Sequence, residues 1–163
     1  MTFTVEELDR KGHDRAGFDC GVEPLNRYLK TLAVQHRAKG IATSFGLVDS
    51  AQPARILGYY SLSAATLAFE RLVDFDRKGL PKYPIPAVRI GRLASSASAR
   101  GMGLGELLLQ NAVKRVLQAR NTLGIYAIVV EAKDGSAEAF YRKYGFRLCD
   151  SQNRQLYLPL GKG

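Results

Sequence analysis

The stretch RGMGLGELLLQNAVKRVL, Arg100 to Leu117, constrains this chain more than any other part of it. Glycines at 101, 103 and 105 stand directly before a segment in which Leu104, Leu107, Leu108, Ala112, Val113, Val116 and Leu117 recur at helical spacing. Glycine costs a helix about 1 kcal/mol relative to alanine, so three at a helix mouth call for a reason. A helix that starts straight after such a turn points its first backbone N–H groups outward, with the helix dipole behind them. Without Cβ atoms in the way, an anion can approach the main chain, and phosphate or pyrophosphate is the natural occupant. Arg100 sets a fixed positive charge beside the turn.

The spacing separates this turn from other phosphate loops. A P-loop requires Lys and then Ser or Thr after its last glycine, whereas Glu106 and Leu107 follow Gly105. A dinucleotide fingerprint requires G-x-G-x-x-G and an acidic residue about 20 positions on. Here the run is G-x-G-x-G, and Glu131 is a loose match. The spacing that is met is Arg-x-x-Gly-x-Gly, through Arg100, Gly103 and Gly105.

Around this turn the pattern is mixed α/β. Leu25, Tyr28, Leu29, Leu32 and Ala33 predict a first helix, with Pro24 in its first turn and Gly40 as its stop. IATSFGLVD and RILGYYSLSAATLAF, separated by the turn cluster SAQPA, read as an antiparallel strand pair. Glu70–Pro86 holds three prolines and reads as a connecting excursion with one helical turn at its start. AVRIGRLASS reads as a strand, Leu104 to Thr122 as the long helix, and IYAIVVEA as a buried strand. The two strands around the long helix are expected to be parallel neighbours. GSAEAFYRKYGF predicts a short helix with Ser136 as cap and Gly145 as stop, and FRLCD and RQLYLPL close the chain as strands.

The length, 163 residues, suits one domain over 1–163. No apolar run approaches the ~20 residues of a membrane span, and MTFTVEELDR lacks the pattern of a signal peptide. The expected location is the cytoplasm, where Cys20 and Cys149 stay reduced as small buried or half-buried thiols. No metal is expected. Net charge is +9, with 24 Lys and Arg against 15 Asp and Glu. This imbalance favours an anionic partner, and its scatter along the chain points to a folded basic face.

R-x-x-G-x-G after a strand and before an amphipathic helix resembles the acetyl-CoA loop of the GNAT superfamily of N-acetyltransferases. The ending FYxxxGF, at Phe140, Tyr141, Gly145 and Phe146, is similar to a second motif of that superfamily. FDCGVEPLNRYL, GYYSLSAATL and IPAVRIGRLASSASARGMGLGELLL resemble, more narrowly, the acetyltransferase toxins of bacterial toxin–antitoxin pairs. The resemblance implies a GNAT fold, a mixed central sheet of six to seven strands with flanking helices and a splayed strand pair holding acetyl-CoA. It implies acetylation of the α-amino group of aminoacyl-tRNA, which blocks translation, a small ribbon–helix–helix antitoxin as partner, and a homodimer.

On that resemblance, Arg100, Gly101, Met102, Gly103, Leu104 and Gly105 hold the pyrophosphate. Leu93, Ala94 and Ser95 offer backbone groups to the pantetheine arm, and N–H groups at Leu93 or Ala94 polarise the acetyl carbonyl. Phe140 lines the cofactor, and Tyr141 is the general acid toward the leaving thiolate, with Tyr144 as its rival. Glu131 is a weak candidate base. A base is dispensable, because an α-amine has a pKa of about 7.7–8.0 that a neighbouring ester lowers. Ser95, Ser96 and Ser98 lack an evident histidine partner and read as loop or backbone-binding residues. Candidate phosphate contacts for tRNA are Arg37, Lys39, Arg77, Lys78, Lys82, Arg89, Arg92, Arg142 and Lys143. Two other readings stay open: a GNAT enzyme for a small or protein amine, and a binding module without catalysis.

Overall fold

The computed structural model describes residues 1–8, 12–149 and 154–161. In chain order the elements are β1 (Phe3–Glu7), α1 (Glu23–Arg27), α2 (Ala33–Ala38), β2 (Thr43–Asp49), β3 (Gly58–Leu67), α3 (Asp74–Arg77), β4 (Ile85–Ser95), α4 (Leu104–Ala119), β5 (Ala127–Glu131), α5 (Gly135–Lys143), β6 (Arg147–Leu148) and β7 (Gln155–Pro159). The strands form a mixed sheet in the order β1-β2-β3-β4-β5-β7-β6. β2 and β3 are antiparallel, from Thr43↔Leu62 to Leu47↔Gly58. β4 and β5, joined through α4, are parallel, from Ala87↔Ala127 to Ile90↔Val130, and β4 continues to Ser95. Among the described residues no helix is long and apolar enough to cross a membrane.

α4 opens at Leu104 as expected and stops at Ala119, three residues before the expected end. Its buried stripe is Leu104, Leu108, Leu109, Ala112 and Val116, whereas Leu107 and Leu117 are 37% and 43% exposed. Three consecutive leucines at 107–109 hide from hydropathy alone which two face inward.

Contacts divide the chain into two compact units, Met1–Ser63 with Gly91–Lys114, and Ala64–Ile90 with Arg115–Gly163. In the first, β1 adds an edge strand that the sequence analysis did not foresee, paired antiparallel to β2 from Phe3↔Asp49 to Glu7↔Phe45. The expected first helix is two α segments joined by a π turn, Tyr28–Leu32. Ala33 N–H closes this turn on the Tyr28 carbonyl, five residues back. Thr31 Oγ1 takes the Arg27 carbonyl at 2.7 Å and Arg15 the Lys30 carbonyl at 3.1 Å. The extra residue rotates the later half of the stripe. Tyr28, Leu29 and Ala33 are buried, and Leu32, expected to face inward, is exposed. Gly40 ends the segment at φ +73°. The core here packs Tyr28, Leu29 and Ala33 with Phe18, Tyr59 and Ala94.

In the second unit, Leu67, Leu72, Ile85, Ala127, Val129 and Tyr157 share a core. The excursion contains a 3-10 turn, Phe69–Arg71, and the short α3. β4 begins inside the proline-rich stretch, at Ile85, with an exposed Pro86 as its second residue, whose carbonyl accepts from Tyr126 N–H at 2.9 Å. Asp76 anchors the excursion. Its carboxylate accepts from Tyr157 Oη at 2.5 Å and from Arg147, and Tyr157 Oη accepts from Val73 N–H at 2.9 Å. The cap of α5 is Asp134, whose carboxylate accepts from Ala137 N–H at 2.8 Å; Ser136, the expected cap, lies inside the first turn. Gly145 stops this helix at φ +94°. β7 pairs antiparallel with both β5 and β6. Asp150, the end of the expected strand FRLCD, lies outside the described residues.

Candidate active site

In the first unit the link from β4 to α4 is held on both sides. Gly58 of β3 is required here, since a Cβ at that position would come 2.8 Å from Leu108 Cδ1 and 3.0 Å from the Ala94 carbonyl oxygen. Ser96 N–H donates to the Leu57 carbonyl at 2.7 Å, and Ala97 N–H to that of Asp19 at 2.8 Å. Ser96 Oγ accepts from Ser98 N–H at 3.3 Å, and Ser98 Oγ accepts from Arg55 at 3.0 Å. The serine hydroxyls at 96 and 98 are thus spent on the turn, in line with the loop reading. Leu93 and Ser95 are half-buried at the end of β4, and Ala94 is buried between them.

The glycines divide by role. Gly101 and Gly103 have φ of +84° and +72°, and nothing lies within 4 Å of where their Cβ atoms would be. Backbone geometry demands glycine there, and the surface above the turn is clear for a ligand. Gly105 sits in the first turn of α4. Leu107 N–H takes the Gly103 carbonyl at 3.2 Å, so the N–H groups of Leu104, Gly105 and Glu106 precede the first intrahelical bond. Leu104 is 2% exposed and offers only its backbone, whereas Met102 is 40% exposed. Arg100 is exposed and aimed: Nη2 donates to the Cys20 carbonyl at 3.2 Å, leaving its other N–H groups at the surface. Clear main-chain donors, a helix N-terminus and a fixed guanidinium suit the pyrophosphate of acetyl-CoA.

Arg92, expected as one candidate phosphate contact and, from its register among apolar residues, as partly buried and structural, is half-buried with its guanidinium carbon 3.5 Å from the centroid of the Tyr28 ring. Tyr28 is 2% exposed, and its hydroxyl bonds His36 Nδ1 at 3.0 Å. At about 100° per residue, positions eight apart in a continuous α-helix diverge by about 80°. The π turn absorbs one residue and brings Tyr28 and His36 onto one face. Sequence reasoning missed this group because a 3.6-residue period hides it. Arg37 pairs with Glu7 at 3.5 Å, and Lys39 is exposed at the end of α2.

In the second unit Tyr141 is 8% exposed on α5, edge-on to Phe140 at 5.3 Å and tilted against Phe146 at 5.2 Å. Burial pushes its phenol up to about 12, so the proton stays on at neutral pH. Among the described residues its hydroxyl has no hydrogen-bond partner. Phe140 is half-buried and also meets the ring of Tyr144. Glu131 is exposed and pairs with Arg89, which gives both a structural role along β4 and β5. Arg77 pairs with Asp74 at 3.1 Å. Lys78, Lys82 and Arg142 are exposed, and exposed Lys143 lies 5.5 Å from the Tyr144 ring. Cys149, like Cys20, is a buried free thiol, and burial pushes it up to about 11.

A model of the Acetyltransferase (GNAT) domain matches residues 79–159. A tRNA-acetylating toxin of Mycobacterium tuberculosis (strain ATCC 25618 / H37Rv) is 30% identical over 145 residues, 89% of this chain and 85% of that protein. The chain belongs to the GNAT acetyltransferases. Two solved relatives extend the likeness along this acetyltransferase. AtaT complexed with acetyl-methionyl-tRNAfMet superposes with a TM-score of 0.90 at 32% identity, over 97% of this chain and 95% of that one. A tyrosine-to-phenylalanine mutant of AtaT, bound to the C-terminus of the antitoxin AtaR and acetyl-CoA, gives a TM-score of 0.81 at 30% identity, over 96% and 92%. The fold expected from the two motifs is therefore the fold observed, and acetyl-CoA is the acetyl donor of this acetyltransferase.

Proposed function

We propose that this acetyltransferase moves the acetyl group of acetyl-CoA onto the α-amino group of an aminoacyl-tRNA and thereby stops translation. The observation that carries the acceptor is the near full-length match to AtaT, solved with an acetylated methionyl-tRNA. The donor rests on the glycine turn, the N-terminus of α4 and Arg100.

The neutral amine attacks the thioester carbonyl carbon, a C–N bond forms and the C–S bond breaks. Backbone N–H groups at Leu93 or Ala94 stabilise the carbonyl oxygen as charge builds on it. Tyr141, which burial keeps protonated at neutral pH, gives its phenolic proton to the leaving sulfur. The surplus proton on nitrogen goes to water, and the phenolate is reprotonated from solvent. No protein base is needed, in keeping with Glu131 being occupied by Arg89. The antitoxin bound to AtaT supports a small antitoxin as partner here. A charged-tRNA substrate places the work in the cytoplasm, and the homodimer implied by the sequence resemblance belongs to the same reading.

The test is to incubate the protein with labelled acetyl-CoA and total charged tRNA. Label on the aminoacyl group is expected, and its absence, with label transferred to a polyamine or a protein instead, sinks the tRNA reading.

A further inference from the structure

The geometry points to Arg92 as an anion receptor for the acceptor substrate, a fixed guanidinium that takes a phosphodiester of the RNA beside the acetyl-transfer strand. This inference rests on the aminoacyl-tRNA reading and names the contact within it.

Three observations carry it. Arg92 precedes Leu93 and Ala94 on β4, so it stands next to the backbone groups assigned to the acetyl carbonyl. Its guanidinium is stacked on a buried aromatic ring 3.5 Å away. That ring is itself pinned at its hydroxyl by His36, 3.0 Å distant. Stacking occupies the face of the guanidinium and leaves its edge donors free, and these donors match phosphate oxygens in fork geometry. Third, among the described residues no carboxylate pairs with Arg92, in contrast to Arg37, Arg77 and Arg89. A half-buried, oriented cation left without a counterion is costly unless a ligand supplies the negative charge. Tyr28 and His36 are positioning residues in this arrangement. They act through Arg92, and the π turn Tyr28–Leu32 is what aligns them.

The test compares wild type with Arg92→Gln and Arg92→Lys, each first checked for an unchanged circular dichroism spectrum and melting midpoint. Fluorescence anisotropy with uncharged tRNA gives Kd across a KCl series, and steady-state kinetics give KM for acetyl-CoA. Arg92→Gln is expected to raise Kd about tenfold and to reduce the slope of log K against log salt by roughly 0.7, the value of one lost contact to single-stranded RNA. Arg92→Lys is expected to keep the slope while losing part of the affinity, since it keeps the charge without the stacked plane. KM for acetyl-CoA should stay within about twofold in both variants. An unchanged salt slope in Arg92→Gln overturns the inference and leaves Arg92 a packing residue. A raised KM for acetyl-CoA with tRNA binding intact also overturns it, assigning the anion to the donor. Because uncharged tRNA is the probe, a wild-type protein that binds tRNA with this slope but acetylates no charged tRNA fails the proposed function alone.

Discussion

Arg100 lies across Gly21: a Cβ on residue 21 would stand 2.9 Å from Arg100 Nη2, and Gly21 itself has φ +83°. Arg100, the proposed donor contact, is therefore aimed by a glycine 79 positions earlier in the chain. Gly21→Ala is expected to cost about 1–2 kcal/mol in urea denaturation, from the left-handed backbone alone. It should also push the guanidinium off the Cys20 carbonyl and raise the calorimetric Kd for acetyl-CoA several-fold. Unchanged acetyl-CoA binding would show that the aim of Arg100 does not matter to the donor.

Tyr141→Phe removes one oxygen that has no hydrogen-bond partner among the described residues. Stability should stay within about 0.5 kcal/mol of wild type, as for a change that breaks no buried network. kcat should fall by about 10²–10⁴-fold, the range of a lost general acid, with KM for acetyl-CoA little changed. The same loss from Tyr144→Phe, with Tyr141→Phe active, would move the role one turn along α5.

The pH profile follows from the direction of the Tyr141 shift. Burial raises this phenol to about 12, so its protonated, donating form dominates at every pH below that value. The group that titrates in the working range is the substrate amine, ordinarily near ~7.7–8.0 and lowered by its ester. kcat/KM is expected to rise with pH to a plateau and to show no descending limb up to pH 9.5. A descending limb that vanishes in Tyr141→Phe would mean a phenol far more acidic than its burial implies.

Tyr157→Phe tests how the proline-rich excursion is held. The hydroxyl donates to Asp76 and accepts from Val73 N–H, so its loss strands a main-chain donor beside the core. Chemical denaturation should show a loss of about 1–3 kcal/mol. Amide exchange should quicken at Val73 in particular, and equal exchange across the whole chain would argue against a local anchor.

The middle of the chain was the most legible part. The strand, glycine turn and helix of RIGRLASSASARGMGLGELLL carry their own geometry in local sequence, and the positive φ of Gly101 and Gly103 follows from it. Other features depend on residues far apart and escaped notice for that reason. β1 is a short polar edge strand, recognisable only beside β2. The Asp76 anchor joins positions 71 and 81 residues apart. In the first helix, periodicity placed Leu32 on the inner face, and one extra residue in the turn put it outside. The candidate donor side of the site, the glycine turn and Arg100, was thus proposed from a motif, and the candidate acceptor side, where Arg92 rests on Tyr28, depended on packing.

The π turn at Tyr28–Leu32 has a genetic consequence. It is what a helix becomes when one codon is added and both ends hold their places. Excising Leu32, one of its three exposed members, would hand back an ordinary helix with better hydrogen bonding and little lost packing. It would also keep His36 on the Tyr28 side, since seven positions in a continuous helix return to within about 20° of the same face. A more regular and more stable first helix is thus one deletion away, and selection for stability alone would be expected to take it.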